Sequence, residues 1–108
     1  MHRKLTLPLF LSAALLSIPS LPAHASEAII KKARCVACHA TDKKMIGPAY
    51  RDVAAKYRGN PEALAQLSAK VRNGGSGVWG AIPMPPHPAD KLSDADLEAA
   101  VAWILKLE

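Results

Sequence analysis

"CVACH", residues 35–39, holds both cysteines of the 108-residue chain and one of its four histidines in a C-x-x-C-H spacing. Two thiols three residues apart can add to the two vinyl groups on one porphyrin edge, and the next residue, His39, then falls beneath the iron as its proximal ligand. Three other chemistries use paired cysteines. A thioredoxin-like redox disulfide accompanies βαβ patterning, and no strand pattern surrounds Cys35 and Cys38. A tetrahedral zinc site needs four ligands, and beyond Cys35, Cys38 and His39 the remaining histidine after residue 25 is His87, with no third cysteine. A structural disulfide between Cys35 and Cys38 would close too small a ring to stabilise much by loop entropy. The spacing predicts one covalently attached haem c, joined at Cys35 and Cys38 and ligated by His39.

Upstream, "MHRK" is a basic start, "LTLPLFLSAALLSI" is an apolar run too short to span a bilayer comfortably, and Ala23-His24-Ala25 is a small-x-small cleavage site. These features predict a cleaved Sec-type signal over residues 1–25 and an exported mature domain over residues 26–108. An uncleaved membrane anchor is the competing reading. Export agrees with the cysteine motif, because thiols are joined to haem in an oxidising compartment.

Without the leader the aromatic residues are Tyr50, Tyr57, Trp79 and Trp103, and the methionines are Met45 and Met84. So small a chain commonly needs a disulfide, metal or cofactor to hold it together, and its few aromatics suggest that something other than side chains fills the centre. Residues 26–58 carry eight bases against three acids, and residues 59–108 carry four against six. A basic first half can steer an acidic partner, or can simply be a solvated surface. Nucleic acid is not expected as a partner of an exported chain that has no interleaved aromatic platform.

Downstream, the patterning is helical throughout, without repeats or period-two alternation, and predicts an all-α domain. A first helix is expected from Ser26 as N-cap through "EAIIKKARC", and a second over "AYRDVAAKY", stopping near Gly59. A third is expected after Asn60-Pro61, with Leu64, Leu67 and Val71 on one face and its end at Asn73-Gly74. The last helix has Ser93 as N-cap, Asp94 and Asp96 in its first turn, a Leu92/Leu97 staple and an apolar stripe of Leu97, Val101, Ile104 and Leu105. Between Gly74 and Lys91 lies a segment with no helical period, rich in glycine and proline. Long loops of this kind in compact domains are usually functional.

The segments "CVACHATDKKMIGPAYRDVAAKY", "NGGSGVWGAIPMPPHP" and "LSDADLEAAVAWILKL", in that order, resemble the bacterial cytochrome c-551 family of class I monohaem cytochromes c. The resemblance covers residues 26–108. It implies a small class I cytochrome c fold, with about four helices around one haem, and a carrier of single electrons rather than an enzyme. A haem-based ligand sensor or peroxidase is the alternative, and it requires an iron position that opens.

Candidates for the sixth iron ligand are Met45, Met84 and His87. Met45 lies six residues beyond His39, at most about 20 Å of extended chain, which is little for passing from one haem face to the other, and apolar packing suits it better. Met84 sits among Pro83, Pro85 and Pro86, which fix φ and restrict their neighbours, so a loop with little freedom to lose can hold a weak thioether bond. His87 would bind ferric iron more strongly. The resemblance implies Met84, because the family places its axial methionine there, with an amide side chain three residues on where this chain has His87.

It also implies Pro48 as the carbonyl acceptor for the other N–H of His39, and Trp79 and Lys70 as partners of a haem propionate. Plain packing of Trp79 on the haem and a solvated charge at Lys70 are the alternative readings. The expected partners are redox proteins, an electron-donor complex and a periplasmic reductase, peroxidase or oxidase, met transiently by a monomer. The docking face is expected to include some of Lys31, Lys32, Arg34, Lys43 and Lys44.

Overall fold

Residues 13–19 and 23–108 are described by the computed structural model, and four helices carry the fold: α1 (Ala23–Lys32), α2 (Tyr50–Tyr57), α3 (Ala63–Asn73) and α4 (Asp94–Leu105). A single 3-10 turn, Cys35–Ala37, follows α1, and no strand occurs among the described residues. The chain is all-α, as its patterning implies.

Each helix boundary has a local cause. Ser93 takes an extended conformation and its hydroxyl accepts from the Asp96 N–H at 3.1 Å, while Asp94 and Asp96 place carboxylates in the first turn of α4. Gly74 ends α3 at φ 69°, donating its N–H to Lys70 O at 2.7 Å. Asn60 does act as a capping side chain, but one turn outside the helix: its Oδ1 accepts from the Glu62 N–H at 2.9 Å, and α3 begins at Ala63 rather than at Pro61.

α1 also differs from expectation. It begins at Ala23 and so runs through the expected cleavage point, which leaves Ser26 inside the helix and buried rather than capping it. Two alanines before Ser26 extend the helix at little cost, since alanine has the highest helix propensity. Most of the expected signal, residues 1–12 and 20–22, lies outside the described residues. Within it, residues 13–19 have no helix or strand, and Leu15, Leu16 and Ile18 are almost wholly exposed.

α4 organises the core, because α1, α2 and α3 each pack against it. On one side Ile30, Tyr50 and Ala100 are buried together, with Ile29, Trp103 and Ile104 around them. On the other, Leu92, Leu97 and Val101 are buried against Leu64, Leu67 and Val71 of α3, the face that the third helix was expected to present. Each such aliphatic side chain contributes about 1.5–3 kcal/mol when fully buried. Yet no large side chain is completely buried among the described residues, so this core is thin for its chain length.

Candidate functional site

α1 ends where Arg34 turns into the left-handed region, φ 64° and ψ 23°, and this delivers Cys35 into the 3-10 turn. The turn is closed by the Cys38 and His39 N–H groups, which both donate to Cys35 O, at 3.1 and 3.0 Å. Cys35, Cys38 and His39 thereby share one short rigid segment. All three line a cavity of about 610 Å³, a size within the ~300–1,000 Å³ of ordinary cofactor sites. No disulfide joins the two cysteines. Burial pushes the Cys35 thiol up, a backbone hydrogen bond pulls it back, and the neighbouring Cys38 raises it again. A thiol held protonated is a poor nucleophile for disulfide exchange, which counts against redox-disulfide chemistry here.

The imidazole of His39 is fixed from three directions. Its Nδ1–H donates to Pro48 O at 2.8 Å, which selects the tautomer with an unprotonated Nε2. The Tyr50 ring stacks on it, with centroids 5.5 Å apart and planes 21° apart, and Trp103 meets Tyr50 edge-on at 6.2 Å. Gly47 closes the remaining side: a Cβ there would lie 2.4 Å from His39 Cε1, so only glycine fits.

Tyr50 contributes more than core packing. Besides stacking on the imidazole it lines the cavity, and its buried hydroxyl has no hydrogen-bond partner. Burial, followed by the charge of a Cys35 thiolate, pushes its phenol far above the ordinary value. No sequence signal marked this role, since an aromatic at a helix start reads as ordinary core.

The glycine- and proline-rich segment supplies the other part of the cavity lining. It folds back as a hairpin: Gly75 and Met84 exchange backbone hydrogen bonds at 3.0 and 2.9 Å, Gly77 N–H donates to Gly80 O at 2.8 Å, and Val78 and Trp79 form the tip. Met84 and Trp79 line the cavity, as do Lys70 and Pro48. Trp79 is partly exposed, with the Lys56 ammonium 5.5 Å from its ring centroid. Met45 also lines the cavity.

His87 is absent from the cavity lining. Its backbone N–H donates to Val71 O at 3.1 Å, and its ring Nδ1 lies 3.3 Å from the same oxygen, which turns the side chain toward α3. The constellation at one cavity is therefore two thiols, an imidazole with a free Nε2 and a thioether. This donor set fits a covalently held haem, and the thin core agrees with a site that the chain's own side chains do not complete.

A family model described as cytochrome c matches residues 23–108. The chain belongs to the cytochrome c family. It is 49% identical over 79 residues to cytochrome c-551 of Pseudomonas aeruginosa, covering 73% of each chain. A crystal structure of Nitrosomonas europaea cytochrome c552 superposes with a TM-score of 0.70 at 46% identity, covering 76% of this chain and 99% of that one. The class 1 cytochrome MtoD of Sideroxydans lithotrophicus is more distant, with a TM-score of 0.65 at 32% identity over 76% of this chain and 91% of that one. As a small class I cytochrome c the chain carries one covalently bound c-type haem, and it is a monohaem electron carrier rather than an enzyme.

Proposed function

We propose that this cytochrome works in the periplasm as a carrier of single electrons, with His39 and Met84 as axial ligands and residues 1–25 removed on export. The observation that carries the ligand assignment is that segments 45 positions apart, at His39 and Met84, line one cavity while His87 turns away from it. Bound there, the haem supplies an iron that cycles between ferric and ferrous states. Cys35 and Cys38 form the two thioethers that hold it. Donation from His39 Nδ1 to Pro48 orients the imidazole and raises its basicity. The Met84 thioether, a soft and weak donor, raises the reduction potential and keeps other ligands off.

Trp79 and Lys70 offer an indole N–H and an ammonium to a propionate from the cavity side. Lys31, Lys32, Arg34, Lys43 and Lys44 are all exposed, and Val36, Met45 and Ile46 lie exposed among them in sequence, which supports a mixed apolar and basic docking face. Contact with a donor complex or a reductase, peroxidase or oxidase would be small and transient. The exposed apolar side chains of residues 13–19 support the reading of the leader as a segment apart from the domain.

The test is the ferric spectrum of wild type, Met84→Ala and His87→Ala. The sulfur-to-iron charge-transfer band in the far red should vanish in Met84→Ala and persist in His87→Ala. Its survival in Met84→Ala would reject the assignment.

A further inference from the structure

Arg72, in the last turn of α3, reaches across to both ends of the segment that follows Met84. Its Nη1 donates to His87 O at 2.9 Å and to Leu92 O at 2.6 Å, and its Nη2 donates to Asp94 Oδ1 at 2.6 Å. The side chain is 20% exposed, unlike an ordinary solvated helix arginine, whereas the Asp94 carboxylate is 95% exposed. Surface ion pairs contribute little, so the two carbonyls are the contacts that matter. The segment answers in kind, because His87 N–H donates to Val71 O at 3.1 Å and to Arg72 O at 3.3 Å.

Met84 sits between this anchor and a second one. Its own backbone is bridged to Gly75 through two hydrogen bonds, and Gly74 packs so closely that a Cβ would lie 2.5 Å from Met84 O. Between Met84 and His87 stand Pro85 and Pro86, each with φ fixed near −65°. Two prolines make a stiff strut, so where Arg72 holds His87 O bears directly on where Met84 can be.

We propose that Arg72 is a positioning residue of the electron-transfer site, clamping the ligand loop between α3 and α4 so that Met84 stays on the iron against competing ligands. One guanidinium meets three acceptors in a fixed fork, a geometry that lysine, as a point charge on a flexible stem, does not reproduce. This inference rests on Met84 being the axial ligand. Without the clamp the loop is freer to swing out, and the thioether competes less well with an added ligand because its bound geometry is no longer prepaid.

The experiment titrates imidazole into the ferric holoprotein of wild type, Arg72→Met, Arg72→Lys, Asp94→Asn and Met84→Ala, with thermal unfolding and reduction potential recorded on each. In Arg72→Met the imidazole dissociation constant should fall by about tenfold, as expected for losing hydrogen bonds from a charged donor. Arg72→Lys should fall between Arg72→Met and wild type, and Asp94→Asn should stay within about twofold of wild type. Should Arg72→Met not fold, Arg72→Lys carries the test. An arginine variant that melts earlier but binds imidazole as wild type does, at an unchanged potential, overturns the inference and leaves Arg72 a purely structural residue. Unchanged imidazole affinity in Met84→Ala would instead overturn the ligand assignment, so the two failures are distinct.

Discussion

Gly47→Ala places one methyl group against the His39 imidazole, and its effect follows from three distances. The new Cβ would lie 2.4 Å from His39 Cε1, 2.8 Å from Nδ1 and 2.9 Å from Nε2. Carbon atoms in contact prefer about 3.5 Å or more, so ring and backbone must separate by about 1 Å. The backbone is held by the Gly47 N–H donating to Cys38 O at 2.8 Å and by the Met45 N–H donating to Gly47 O at 3.1 Å. The ring therefore moves, and its 2.8 Å bond to Pro48 O stretches beyond hydrogen-bond range. Overpacking costs about 1–3 kcal/mol and the orphaned ring N–H a similar amount, which together destabilise the holoprotein by about 2–6 kcal/mol. Urea unfolding of the ferric holoprotein, followed by far-UV circular dichroism, measures this directly. The same change should raise the reduction potential, because an imidazole that no longer donates from Nδ1 is less basic and favours ferric iron less. A variant within about 0.5 kcal/mol of wild type, at an unchanged potential, would show that the ring has slack and refute the reasoning.

Three further outcomes are expected. Ser93→Ala removes the acceptor for the Asp96 N–H at the start of α4 and should cost about 1 kcal/mol in urea unfolding, a loss that Ser93→Asp should largely avoid. Tyr50→Phe deletes a buried hydroxyl that has no partner, so the variant should be as stable as wild type or more stable by up to about 1 kcal/mol; a loss above that would mean the hydroxyl is bonded in the holoprotein. Reduction of an acidic redox partner should slow as salt rises from about 10 mM to about 500 mM, since the Debye length shrinks several-fold, and the effect should weaken in Lys43→Gln/Lys44→Gln. Rates that do not change with salt would remove the basic residues from the docking face.

What the sequence revealed and what it concealed divide along sequence separation. The C-x-x-C-H spacing, the Ser93 cap, the staple leucines and the helical stripe of α4 are interactions within one or two turns, and their chemistry is legible from residue type and offset. The Arg72 contacts reach 15 to 22 positions along the chain and depend on how α3 crosses α4, which no local pattern encodes. Tyr50 was hidden differently: its stacking on His39 goes with a backbone bond from the Tyr50 N–H to Ala40 O at 2.9 Å, which ties the start of α2 to the residue after the histidine, and a tyrosine at a helix start carries no mark of that. His87 is the instructive middle case. Residue type made it a rival ligand, and only its bonds to the end of α3 turn it from the cavity.

The central place of α4 bears on how the molecule breathes. Releasing α1, α2 or α3 singly would leave α4 two partners, whereas releasing α4 removes all three of these pairings at once. Its buried amides should therefore exchange with deuterium only through global opening, while the glycine-bounded amides of residues 75–84, outside any helix, exchange through local excursions. The Met84 loop and the scaffold are then separate cooperative units. A sequence can retune how readily the Met84 loop opens without spending the stability of the frame that holds it.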